Sequence, residues 1–109
     1  MPEMIRSNDE TMTLPEPGLH RQVMSTSDTM MLVRHRMDAG WVGVAHSHPH
    51  EQILYVVSGC IALTTDGKTH MLRAGDSIIL PGNMVHQASA PEGDSEALDI
   101  FTPAREDYR

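Results

Sequence analysis

Residues 40–59 read GWVGVAHSHPHEQILYVVSG. Two histidines, His46 and His48, stand two apart. Pro49, His50, Glu51 and Gln52 follow, and then an apolar run. In an extended segment alternate side chains share a face, so His46 and His48 point the same way. Pro49 interrupts a regular ladder, and Pro49–His50–Glu51 supply a turn. Gln52 then opens the next strand, opposite the segment that carries the two histidines. A hairpin of this kind gathers His46, His48 and Gln52 about one point. His86 lies on a separate segment, beyond the turn at Pro81–Asn83. A barrel that joins the two segments brings three imidazoles and one amide oxygen together. Imidazoles suit Zn, Ni, Cu and Fe, and the amide adds a neutral oxygen ligand.

Working outward, the chain from His20 onward carries strand signals. RQVMS and the longer TMMLVRHRM come first. ILYVVSG and CIALTT meet at Ser58–Gly59. Asp66–Gly67 separates CIALTT from KTHMLR, and an Asp-Gly pair favours a tight hairpin. AGDSIILPGN, MVHQASA and ALDIFT complete the set, with PEGD as the last loop. Eight or nine short strands and no helix predict an all-β single domain, a sandwich or barrel. Residues 1–18, MPEMIRSNDETMTLPEPG, are polar and hold three of the seven prolines. They are expected to form a flexible N-terminal arm, either a disordered terminus or a segment reaching a partner subunit. Residues 19–109 form the barrel domain.

A chain of 109 residues supports one core. Cys60 is the only cysteine, so no internal disulfide forms, and a reducing cytoplasm is the expected location. No stretch resembles a signal peptide or a membrane span. Eight basic residues against fifteen acidic ones give a net charge of −7. That balance disfavours nucleic acid and anionic membranes as partners. An acidic ligand would need a local positive centre to hold it against the global field.

The spacing Gly40-x5-His46-x-His48-x3-Gln52-x6-Gly59, followed by Gly75-x5-Pro81-x4-His86, resembles the two-part signature of the cupins across residues 36–90. The resemblance implies a jelly-roll β-barrel, or double-stranded β-helix, with a metal in its mouth. Three positions depart from the pattern. Gln52 stands where the signature has glutamate, Asn83 replaces a glycine, and Ala90 replaces an asparagine. Asn can still adopt a left-handed turn conformation. Gln52 matters more. A divalent ion held by three neutral histidines and an amide keeps its full charge and is a stronger Lewis acid. The two-histidine, one-carboxylate set of iron oxygenases is absent at these positions. The expected cofactor is one divalent transition metal ion: Ni, Zn, Fe, Mn or Co.

The terminal ALDIFTPAREDYR sets Asp99 and Phe101 on one face and Leu98 and Ile100 on the other. Pattern alone leaves both choices of inward face open. HSHPHEQ, YVVSG, LPGNMVH and LDIFTPARED together resemble the pectin-degradation cupins of the KdgF type. That resemblance implies ring opening of 4,5-unsaturated uronates from pectin or alginate breakdown. It assigns His46, His48, Gln52 and His86 to the metal, Asp99 and Arg105 to catalysis, and Phe101 to substrate binding. Two other classes compete. One is oxygen chemistry on an apolar substrate, with some of the nine methionines lining the barrel. The other is a non-catalytic metal-dependent binding barrel. His50 is expected in a solvated turn, and His20, His35 and His70 outside the site. A homodimer is expected, with the N-terminal arm and TMMLVRHRM as interface elements.

Overall fold

A computed structural model describes residues 2–109 of the chain. Nine strands follow in order: β1 Thr13–Glu16, β2 Leu19–Thr26, β3 Met31–Met37, β4 Glu51–Ser58, β5 Cys60–Thr65, β6 Lys68–Arg73, β7 Ser77–Leu80, β8 His86–Ser89 and β9 Ser95–Thr102. Short 3-10 turns at Asp9–Thr11 and Glu106–Tyr108 are the only helical segments among the described residues. Six strands form one antiparallel sheet in the order β1-β2-β3-β9-β4-β7, and three form a second in the order β6-β5-β8. The all-β expectation is met.

Local chemistry places the hairpins. Asp66 and Gly67 both have positive φ, 54° and 75°, and join β5 to β6 with Thr65 opposite Lys68. This two-residue turn matches the right-handed twist of its strands. Gly59, at φ 79°, turns β4 into β5 where any Cβ would strike Ser95 and the Asp94 carbonyl.

β4 alternates strictly: Gln52, Leu54 and Val56 point inward, while Ile53, Tyr55 and Val57 face out. β9 runs between β3 and β4, with Asp99 opposite Val33 on one side and Leu54 on the other. Ser95, Ala97, Asp99 and Phe101 are buried, whereas Leu98 and Ile100 sit half-buried on the outer face. The register decides this. It sets Ile100 beside Ile53 and Leu98 beside Tyr55, both outward residues of β4.

Two apolar layers fill the interior. Leu19, Met37, Leu54, Val56, Ile61 and Leu63 belong to one, and Met31, Val33, Phe101 and Ala104 form the other. Between them each of four neighbouring strands contributes one polar residue: Arg21 from β2, His35 from β3, Asp99 from β9 and Gln52 from β4.

The stretch expected to be a flexible arm is tied down from Arg6 onward, whose carbonyl accepts from Gln22 Nε2 at 2.8 Å. The Asn8 backbone N–H donates to Gln22 Oε1 at 3.0 Å, and Arg34 and Arg36 grip the Asp9 carboxylate at 2.6 and 2.7 Å. β1 pairs antiparallel with β2, setting Glu16 opposite Leu19. The division expected between residues 18 and 19 therefore falls inside a hairpin. The cause is the otherwise unpaired edge of β2, whose backbone groups need partners, together with the buried Arg34, which needs anions.

Candidate metal centre and cavity

His46 and His48 do not lie on a regular strand, contrary to the extended hairpin expected for them. Outside the named strands, the segment is joined by isolated pairings, Val42 with Ser89 and His46 with His86. Backbone hydrogen bonds of 3.0 and 2.9 Å run both ways between His46 and His86. The loop beyond is held from the Pro81 turn: the Asn83 N–H donates to the His48 carbonyl at 2.7 Å. Asn83 has φ 67°, the left-handed conformation expected of it. At Gly82 the Pro49 carbonyl approaches so closely that a Cβ would collide with it.

One ring nitrogen from each of His46, His48 and His86 lies within 4.8 Å of the other two. In each ring Nδ1 faces a backbone carbonyl: Val44 at 2.9 Å, His50 at 3.0 Å and Met84 at 3.0 Å respectively. A carbonyl only accepts, so Nδ1 carries the hydrogen and Nε2 keeps a lone pair. Carbonyl partners of this kind commonly orient metal-binding histidines. Burial pushes the His48 and His86 pKa values down, with the Arg105 charge adding to the shift at His48. Both rings therefore resist taking a second proton.

Gln52 completes the cluster. Its Nε2 donates to Asp99 Oδ1 at 2.6 Å, and its Oε1 lies 3.0 Å from His48 Nε2. A carboxylate accepts, which turns the amide nitrogen toward Asp99 and the amide oxygen toward His48. Two lone pairs then face each other across 3.0 Å, an arrangement a cation satisfies. Three imidazole nitrogens and an amide oxygen suit a divalent transition metal.

Asp99 is buried and accepts a second hydrogen bond, from His35 Nδ1 at 2.6 Å. Arg21 Nε in turn donates to His35 Nε2 at 3.0 Å. His35 was expected outside the site. Its signal lay in parity: Met31, Val33, His35 and Met37 form one inward row, and a histidine in such a row needs polar partners. His50 is half-buried, not solvated. Its ring stands edge-on to His48 and Phe101, with centroids 5.6 and 6.4 Å away. His20 pairs with Asp38 at the surface, and His70 is exposed.

His46, Gln52, His86, Asp99, Phe101 and Arg105 line a cavity of about 260 Å³. The Phe101 ring meets the edge of His48 with centroids 5.7 Å apart. Arg105 is buried, and its guanidinium is engaged: two nitrogens donate to Asp107 at 3.1 and 2.6 Å, and the third to the Tyr108 hydroxyl at 3.1 Å. Arg105 holds the Asp107 carboxyl below the usual range. Among the described residues, Met37 is the only methionine that lines this cavity.

The Cupin domain family matches residues 33–101, which span both parts of the histidine motif. The chain belongs to the cupin family. This cupin is 32% identical over 92 residues to the pectin degradation protein KdgF of Dickeya dadantii, covering 84% of each chain. It is likewise 32% identical to KdgF from a Halomonas species, whose solved structure it matches over the whole of both chains with a TM-score of 0.94. An RmlC-like cupin from Shewanella frigidimarina is 35% identical, with 94% of each chain covered and a TM-score of 0.87.

Proposed function

We propose that this cupin is a metal-dependent enzyme that opens the ring of 4,5-unsaturated uronates released from pectin or alginate. Its similarity to two KdgF proteins, one of them named for pectin degradation, supports the substrate class. The observation that carries the reading is the place of Asp99. A buried carboxylate lines the cavity and is bonded directly to Gln52, beside three histidines with free Nε2 lone pairs.

His46, His48, Gln52 and His86 would hold one divalent transition metal ion. Such an ion supplies Lewis acidity and a positive charge that these neutral ligands leave undiminished. Asp99 serves as general acid–base. It takes the proton of the anomeric hydroxyl as the bond from the anomeric carbon to the ring oxygen breaks. It then delivers a proton to the alkene carbon, so that the enol becomes a ketone. Two of its lone pairs are engaged by Gln52 and His35, which leaves others for this transfer. Phe101 offers an apolar wall to a sugar face. Arg105 binds the uronate carboxylate, which replaces the exposed Asp107. Arg21 and Arg105 both line the cavity, giving an acidic chain the local positive field that an acidic sugar needs.

The same reading takes the chain as a cytoplasmic homodimer that binds neither nucleic acid nor membrane. The buried free thiol of Cys60 accords with a reducing compartment. Exposed Ile53, Tyr55, Val57 and Ile79 on the outer faces of β4 and β7 accord with a covered surface.

The test is a coupled assay. A lyase supplies 4,5-unsaturated galacturonate and guluronate, and loss of the ring-alkene absorbance is followed with metal-loaded and chelated protein. Metal-dependent acceleration over the spontaneous reaction is expected. A fully loaded protein with no acceleration would retire the uronate reading.

A further inference from the structure

The polar layer continues past Asp99 to His35, which ring opening as described leaves without a part, and to Arg21, so far only a positive charge on the cavity wall. His35 and Arg21 come from strands β3 and β2, where they stand opposite each other in register. His35 is 8% exposed and stands on the cavity wall. Its two ring nitrogens make different contacts: Nδ1 meets Asp99 Oδ2 at 2.6 Å and Nε2 meets Arg21 Nε at 3.0 Å. Arginine only donates, so Nε2 must be the accepting, unprotonated nitrogen. The hydrogen then sits on Nδ1 and points at Asp99. Arg21 is held in turn by stacking, its guanidinium carbon 3.6 Å from the centroid of the Tyr108 ring. Tyr108 belongs to the C-terminal turn, is packed against the apolar layer of Met31, Val33 and Phe101, and also stacks on Arg105 at 4.1 Å.

We propose that His35 and Arg21 are positioning residues of this site, with Arg21 selecting the His35 tautomer that holds Asp99 in its working rotamer. The inference rests on the role given to Asp99 above. A carboxylate with a single hydrogen-bonded anchor can rotate about its χ angles. Asp99 has two, Gln52 on one oxygen and His35 on the other, which fixes the plane of the group. Gln52 in turn needs an acceptor at Asp99 Oδ1 to keep its own oxygen toward the histidines. Loss of His35 would therefore loosen the acid–base before it disturbed the metal ligands. Outer partners of this kind commonly change affinity or activity about 10–100-fold when removed.

The test uses two readouts on the full, zinc-loaded chain. The first is nitrogen-15 NMR of the histidine rings, with the His35 signals assigned by their loss in His35→Asn. A protonated Nδ1 and an unprotonated Nε2 are expected. A protonated Nε2, alone or in an imidazolium, would overturn the proposal. The second is steady-state turnover of unsaturated galacturonate by His35→Asn and His35→Leu, with zinc content measured alongside. Asn keeps an N–H donor near the position of Nδ1, whereas Leu has none. His35→Leu is expected to lose kcat about 10–100-fold at unchanged zinc content and similar KM, and His35→Asn to recover most of it. Equal losses in both variants, or no loss in either, would refute a positioning role. If the unmodified chain turns over no unsaturated uronate, the ring-opening reading fails, and the tautomer alone decides the inference.

Discussion

At the scale of single residues, Gln52 and Asp99 separate the oxygen that faces the histidines from the negative charge, which a glutamate at position 52 would combine. Position 52 offers a neutral oxygen toward the histidines, and the negative charge stands one hydrogen bond behind it, at Asp99. A divalent ion bound there would keep its positive field, with the Asp99 carboxylate standing beside the cavity. Asp99→Ala is expected to lower turnover about 100-fold or more, the usual worth of a positioned acid–base. Metal content measured on the same sample should stay near one ion per chain. Unchanged turnover would remove Asp99 from the chemistry. The histidines make a second prediction. Burial lowers the pKa values of His48 and His86, so below the ordinary histidine value the unfolded chain binds more protons than the folded one. Stability of the metal-free chain should therefore fall as pH drops from 7.5 through about 6.5 toward 5.5. Urea midpoints across that range test this, and His86→Gln should show a shallower fall. A flat profile would count against neutral, buried rings.

At the scale of elements, the loop from Val42 to His50 is held mainly from outside itself. Gly82 and Asn83 grip its far end through Pro49 and the His48 carbonyl. Gly82→Ala forces a methyl group against the Pro49 backbone and should cost about 1–3 kcal/mol. Because the same loop carries His46 and His48, zinc affinity should fall with it, as calorimetric titration would read. The N-terminal segment makes a separate case. Asp9 bridges Arg34 and Arg36, and its hydrogen bond with Arg34 lowers its pKa. Its contribution is complete above the ordinary aspartate value and fades as pH falls through the lowered one. At neutral pH, Asp9→Asn should raise amide exchange in Thr13–Glu16 while that of β9 stays slow. Equal protection in both proteins would show that strand pairing alone secures the segment. The strands themselves were legible in the chain, because turn chemistry such as Asp66–Gly67 and alternation within β4 are local. The order of the N-terminal segment was not. It depends on the open edge of β2 and on a buried arginine, neither of which shows in residues 1–18.

At the scale of the whole molecule, a polar layer of four strands is clamped between two apolar ones, and the loop that carries His48 meets it at Gln52. Each polar residue is satisfied by its neighbour on the next strand, as a buried position requires. The outer face of the same sheet is less well satisfied. Ile53 and Ile79 stand side by side in register, with Tyr55 and Val57 along β4, all exposed. Sedimentation should give the mass of a dimer, and Ile79→Lys should shift it toward the monomer without loss of metal binding. A chain that sediments as a monomer at all concentrations would discard this assignment.

The sequence by itself determined the all-β class, the turns that join β4, β5 and β6, the meeting of three histidines with residue 52, and the cupin pattern that joins them. These rest on alternation, turn residues and spacing along one stretch of chain. Tertiary structure alone decided that Asp99 and Phe101 face inward, that His35 belongs with them, and that Arg105 is engaged by Asp107. Both faces of β9 carry apolar side chains, so alternation defines two faces without saying which is buried. Register against β3 and β4 makes that choice, and it depends on residues more than forty positions away.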